Sequence, residues 1–170
     1  MRFAILLLTA TAAACGAAAP APASAGDLAA QTTAIEATLD DWHAAAAEAD
    51  EARYFSHFAE DAVYLGTDAT ERWDVEAFRR YAHPHFAEGR AWTFRAARRA
   101  VVVAPDGDVA WFDEDLVTEN LGPARGSGVV VRGASGRWLI VHYNLTITVP
   151  NDRFREVRDL LRAPPTTGEG

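Results

Sequence analysis

Asp113 lies two residues after Trp111 in Ala110-Trp111-Phe112-Asp113-Glu114, and Arg125, Ser127 and Tyr143 follow in later segments rich in β-formers. A carboxylate held among aromatic side chains such as Trp111 and Phe86 has a raised pKa and can serve as a general base. A neighbouring hydroxyl, from Tyr143 or Ser127, can then steady a developing oxyanion. Arg125 argues the other way, because a nearby cation lowers the carboxylate's pKa and weakens it as a base. The same guanidinium suits the binding of an anionic or polar small molecule in an otherwise apolar pocket walled by Tyr64, Phe86 and Trp111.

Each of these residues also has a plainer role. Asp113 and Arg125 can form a structural ion pair between neighbouring strands. Tyr64 and Tyr143 can be core aromatics whose hydroxyls find partners, and His142 a packed strand histidine. His83 and His85 flank Pro84, but no carboxylate or cysteine completes a ligand spacing around them, so a surface pair is expected, with no metal or cofactor. Asp68, Glu71 and Arg72 read as a group that caps the loop before a helix.

The elements that must position these groups follow from periodicity. Ile35, Leu39, Trp42 and Ala46 recur at helical spacing and predict a long helix over 27–49. Asp50 is a candidate N-cap for a short second helix with Tyr54, Phe55 and Phe58 on its apolar side. Val63-Tyr64-Leu65 reads as a brief strand ending at Gly66, and the polar run 67–72 as a loop. Asp74 is the expected N-cap of a third helix, with Trp73 and Phe78 spaced as a hydrophobic staple. Pro84 is expected to kink or end that helix near His83.

From Trp92 onward the period changes to that of strands, over 93–103, 109–119, 127–132 and 137–149, joined by Gly-, Pro- and Asn-containing turns. Short connections of this kind make antiparallel neighbours. Phe154, Val157, Leu160 and Leu161 predict a closing helix within 152–162, and a disordered tail is expected over 163–170. Helices first and an antiparallel meander after them define an α+β class.

On the last strand Leu139, Val141, Tyr143, Leu145 and Ile147 are uniformly apolar or aromatic and are expected to face the enclosed side. A three-residue turn after Arg132 would pair Val131 with Leu139, Val129 with Val141 and Ser127 with Tyr143, leaving Arg125 on the same face. A four-residue turn would slip the register and bring His142 and Asn144 inward instead.

The first residues carry an address. Arg2, the apolar run 3–10 and the small residues 12–14 precede Cys15, the chain's one cysteine, and together resemble a bacterial lipoprotein signal over 1–14 with Cys15 as the lipidated first mature residue. Residues 15–26 are rich in Ala and Pro and read as a tether. Gly16 after the cysteine, by analogy with Gram-negative sorting, implies the periplasmic side of the outer membrane. The competing site Ala23-Ser24-Ala25 would instead release a soluble periplasmic protein cut before Gly26. Cleavage before Cys15 leaves 15 basic against 24 acidic residues, a net charge of −9 that argues against nucleic-acid partners. One domain over 27–162 accounts for the rest.

The order of elements, the aromatic residues around Phe55 and Phe58, the segment Gly66-Thr67-Asp68-Ala69-Thr70-Glu71-Arg72-Trp73, the strand Ala110 to Glu114 and the ending Trp138-Leu139-Ile140-Val141-His142-Tyr143-Asn144 resemble SnoaL-like domains of the nuclear transport factor 2-like superfamily. The resemblance implies a cone-shaped fold in which a curved antiparallel sheet wraps a helix around a pocket, and frequent homodimers formed through the sheet. It also implies that Trp111, Asp113 and Asp115 line the pocket mouth. Three functions are then open. The first is a membrane-anchored domain binding a small molecule through Tyr64, Phe86, Trp111, Asp113, Arg125, Ser127 and Tyr143. The second is an isomerase, cyclase or dehydratase type of enzyme with Asp113 as base and an enolate-like intermediate. The third is a dimeric interaction module whose contact face carries Trp138, Ile140 and His142.

Overall fold

The computed structural model describes residues 24–162, so Cys15, the tether residues before Ser24 and the tail from 163 lie outside the described residues. Helix α1 spans Ala25–Ala47 and opens with a capping box: the Ser24 hydroxyl accepts the Asp27 N–H while the Asp27 carboxylate accepts the Ser24 N–H. Its buried stripe is the expected Ile35, Leu39, Trp42 and Ala46, joined by His43 and Ala45. Ala49 ends it at φ 55°, with its N–H on the Ala46 carbonyl and that of Asp50 on the Ala45 carbonyl, a Schellman closure built on alanine. Asp50 at once becomes the N-cap of α2 (Glu51–Phe55), accepting the Arg53 N–H at 3.0 Å.

Strand β1 (Phe58–Leu65) begins earlier than its three apolar residues suggest, because Phe58 leaves the helix and pairs with Ile140. After the loop 66–71, β2 (Arg72–Asp74) pairs back on β1 and leads into α3 (Val75–Ala87). The start of α3 is as the sequence predicts. Asp74 accepts the Ala77 N–H at 2.7 Å, and the Trp73 and Phe78 rings stack 5.6 Å apart. Its end is not: the helix runs through Pro84 to Ala87. Pro84 is exposed, so solvent can serve the carbonyl it leaves unbonded, while Phe86 one turn after Ala82 stays buried against Tyr54 and Trp92. Burial of that last aromatic outweighs the proline's penalty.

Four long strands complete the sheet, β3 (Arg95–Val103), β4 (Val109–Val117), β5 (Ala124–Arg132) and β6 (Trp138–Ile147), in the spatial order β2-β1-β6-β5-β4-β3. All neighbours are antiparallel except β1 and β6, which run parallel. The helices cover one face of this curved sheet, and α1 packs on β3 and β6. Helix α4 (Phe154–Arg162) forms as expected but closes nothing: none of its residues is buried.

The register of β6 combines both expected alternatives. Val131 pairs with Leu139, as the three-residue turn predicts, but Val129 pairs with His142 and Ser127 with Asn144. A bulge at Val141 separates the two halves and switches the inward side. Trp138 and Ile140 are therefore buried before it, Tyr143 and Leu145 after it, whereas Leu139, Val141, His142 and Asn144 are only half-buried and Ile147 is exposed. Gly126 and Gly128 stand opposite this stretch. A Cβ on Gly126 would collide with the Tyr143 hydroxyl, and one on Gly128 with the His142 carbonyl and the Phe112 ring at 2.9 Å.

The Schellman alanine is a place to gain stability. Because a left-handed alanine costs more than a left-handed glycine, Ala49→Gly should stabilise the fold by about 0.5–1 kcal/mol in urea unfolding, with an unchanged m-value.

Candidate functional site

Two features of the helix-covered face have the chemistry of a site. The first is a buried polar cluster centred on Glu114, which is 0 % exposed. Strand β4 turns Ala110, Phe112, Glu114 and Leu116 toward the helices and Trp111, Asp113, Asp115 and Val117 away. From that position the Glu114 carboxylate meets His43 Nε2 of α1 at 2.7 Å and accepts from Arg99 Nε of β3 at 2.9 Å and the Tyr143 hydroxyl of β6 at 3.3 Å. Arg99 also donates to the Glu36 carbonyl and to Asp40, tying the cluster to the outside of α1. Burial pushes the Glu114 carboxyl up, but the hydrogen bonds and positive charge of His43 and Arg99 outweigh it and hold the carboxyl below its ordinary range. Burial and the Glu114 carboxylate push the Tyr143 phenol well up, so it stays a neutral donor.

The second feature is a cavity of about 190 Å³ at the open end of the sheet, under α3 and between the β1–β2 loop and the end of β4. Tyr64, Trp73, Phe78, Tyr81, Trp92 and Phe94 form its walls, and Thr67, Glu71, Thr118 and Asn120 bring polar groups to it. The aromatic wall is ordered: Tyr64 stacks on Phe78 at 4.0 Å, Phe78 on Trp73 at 5.6 Å and Trp73 on Tyr81 at 4.6 Å. The β1–β2 loop is held by its own side chains. Glu71 accepts the Asp68 N–H at 3.1 Å, Asp68 accepts the Thr70 N–H at 2.8 Å, and the Glu71 side chain folds across Gly66, where no Cβ would fit.

No member of the Glu114 cluster lines the cavity; Phe94 stands between them, its ring 6.2 Å from that of His43. A further hollow, larger and shallower at about 330 Å³, lies beside α1 with Asp41, His57 and Arg137 in its wall. Its carboxylate is already engaged, since Asp41 accepts from Arg53 Nε at 3.0 Å and lies 2.8 Å from His57 Nε2.

The residues singled out from sequence divide between the two faces. Tyr64 lines the cavity, Tyr143 is buried on Glu114, and Phe86 packs inside the aromatic core against Tyr54 and Trp92. Trp111, Asp113, Arg125 and Ser127 face away from the helices, contrary to expectation, and Trp111 is 50 % exposed. Pairing explains it: Asp113 sits opposite Ser127 and Asp115 opposite Arg125, so the whole set shares the outer face by strand alternation. The expected Asp113–Arg125 pair is not made. Arg125 reaches Asp115 at 3.4 Å, and Arg98 lies 2.9 Å from Asp115 and 3.6 Å from Asp113. Asp113 therefore has no place in an enclosed site on this face. Trp138 and Ile140, expected on a contact surface, are core residues instead. His83 bonds Glu51 at 2.7 Å on the surface, and His85 lies beside Tyr81.

Glu114 is the residue that sequence reasoning missed. The signal was in the alternation of β4: the set with two carboxylates, Asp113 and Asp115, belongs in water, and the set with one belongs inside.

A helix-backed curved sheet with an aromatic cavity at its open end defines the class of small α+β domains that enclose a pocket. The chain belongs to the SnoaL-like domain family, whose model matches residues 35–150. Among solved structures, a scytalone dehydratase so named provisionally, from Novosphingobium aromaticivorans, superposes with a TM-score of 0.63 at 12% identity, covering 74% of this chain and 89% of that one. A nuclear transport factor 2-like protein of unknown function from Pseudomonas putida gives 0.59 at 17% identity, covering 73% and 90%. A protein provisionally named a ketosteroid isomerase, from Parabacteroides distasonis, gives 0.55 at 18%, covering 68% and 86%. These likenesses establish the fold. No curated protein sequence matches the chain.

Replacing Glu114 by Gln removes the buried counter-charge of Arg99, leaves it only the exposed Asp40 carboxylate, and should cost roughly 3 kcal/mol in urea unfolding. Because the folded carboxyl is held low, its contribution is present above the unfolded pKa of about 4.3 and is lost as pH falls through the folded value. The wild type should therefore lose stability on acidification below pH ~4 more steeply than Glu114→Gln does.

Proposed function

We propose that this chain is an envelope-anchored domain that binds a small molecule in the cavity at the open end of its sheet, without transforming it. The observation that carries the reading is the cavity itself: about 190 Å³ of aromatic-walled space with a few convergent polar groups. That is the usual composition of a small-molecule site. Below the ~300 Å³ at which drug-sized pockets begin, it suits a compact ligand. The acids and bases inside the fold are committed to one another, since Glu114 is met by His43, Arg99 and Tyr143, and this favours capture over chemistry.

An acid–base enzyme of isomerase, cyclase or dehydratase type is the second reading, favoured by the Glu114 and His43 pair only one ring away from the cavity. Its base would be that pair rather than the outward-facing Asp113. The anchor belongs to the proposal through Cys15: lipidation there would hold the domain at the periplasmic face of a membrane, while cleavage before Gly26 would release it. Pairing of two copies through the outer face, where Trp111, Val102 and Val117 are exposed, would make a homodimer and leave the cavity open.

Binding is tested on the purified domain by titrating tryptophan emission with phenol as a neutral aromatic probe, beside native mass spectrometry for a carried-over ligand. Leu145 also lines the cavity, so saturable quenching should be weakened at least tenfold by Leu145→Trp, which fills it, and left unchanged by Asp113→Asn and Arg125→Ala on the outer face. Saturation that survives Leu145→Trp, or no binding with no carried ligand, would remove the cavity from the function. Metabolic labelling with a palmitate analogue tests the anchor: label on the wild type and none on Cys15→Ala is expected, and an unlabelled wild type would refute it.

A further inference from the structure

We infer that the cavity selects small organic cations, such as a quaternary or protonated amine, over neutral and anionic molecules of the same shape. This rests on the binding reading above and specifies its ligand class. Among the described residues, Glu71 is the one formally charged side chain in the cavity wall. It is half-buried, makes no salt bridge among the described residues, and spends one carboxylate oxygen on the Asp68 N–H. The other oxygen has no hydrogen bond from any described residue. The charge acts on its surroundings, because after burial the Glu71 carboxylate is the next cause that pushes the Tyr64 phenol up.

The rest of the wall points the same way. Tyr64, Trp73, Tyr81 and Trp92 bring π-systems to the wall, and the parts of their faces that the stack leaves uncovered attract a cation most strongly where water is excluded. No arginine among the described residues lines the cavity, although the chain has 16 basic residues and places Arg98 and Arg125 on the sheet's outer face. An anionic ligand would meet an unopposed carboxylate, which is discrimination by repulsion as well as attraction. The anionic ligand that Arg125 suggested from sequence is thereby replaced.

Calorimetric titration of the domain with choline, with its neutral isostere 3,3-dimethylbutan-1-ol and with the anion 3,3-dimethylbutanoate compares molecules of one shape and different charge. Choline should bind at least tenfold tighter than the alcohol, and the carboxylate weakest. Glu71→Gln should weaken choline far more than the alcohol and bring the two to within about threefold of each other. Since Glu71 also braces its loop, Tyr81→Leu provides a second variant: Tyr81 is 47 % exposed, and losing its ring should weaken choline more than the alcohol, because leucine keeps the apolar contact and not the π-face. Equal binding of choline and the alcohol would overturn cation selection and leave small-molecule binding intact. Binding of none of the three while phenol still saturates would also overturn this inference alone; failure of phenol as well would remove the binding reading with it.

Discussion

The burial of Glu114 is the constraint on which the rest of this structure depends. A carboxylate with no access to water is tolerable only when its oxygens are occupied and its charge is answered, and here the partners come from three directions: His43 on α1, Arg99 on β3 and Tyr143 on β6. Meeting them fixes where α1 crosses the sheet. Arg99 extends the tie by reaching past the carboxylate to the Glu36 carbonyl and Asp40 on the same helix. The small residues follow from it too, since Gly126 leaves the space that the Tyr143 hydroxyl needs to arrive at Glu114.

With the centre of the fold committed to that cluster, aromatic packing fills what remains. Aromatic rings dominate the interior: the Trp42 ring lies 5.3 Å from that of Tyr54 and 4.7 Å from that of Tyr143, and Tyr54 packs on Phe55, Phe86 and Trp92 in turn. The space that a more open sheet would leave beneath its helices is occupied, and the aromatic-walled volume that survives lies where the sheet ends, between α3, the β1–β2 loop and the end of β4, apart from the shallower hollow beside α1. The polar character of that place comes from loops, where function commonly sits on a rigid scaffold. Thr67, Glu71, Thr118 and Asn120 all lie at or beyond strand ends.

The fold was legible from the chain because its signals are local. Asp50 and Asp74 behave as N-caps, the Trp73–Phe78 staple forms, and the stripe from Ile35 to Ala46 is buried as its spacing requires. The site was less legible, for two physical reasons. Alternation assigns a strand's two faces but does not say which is covered, and Trp111 suggested the wrong one for β4 although it lies half exposed. A bulge is invisible to any rule of period two, so no single register could place both Ile140 and Tyr143 inside, where the structure has them. Pro84 shows the limit of a local rule in the other direction, since tertiary burial of Phe86 carries α3 through it.

The central claim, that ligands enter at the open end of the sheet and nowhere else on the helix-covered face, can be read from the five tryptophans. Their indole N–H signals in a two-dimensional proton–nitrogen NMR spectrum, assigned by single Trp→Phe variants and followed as phenol is added, sample the cavity, the core and the outer face at once. The account predicts saturable shifts of Trp73 and Trp92, in the cavity wall, with Trp42, Trp111 and Trp138 unmoved. Shifts confined to Trp111, or to Trp138 beside the hollow at α1, would contradict it.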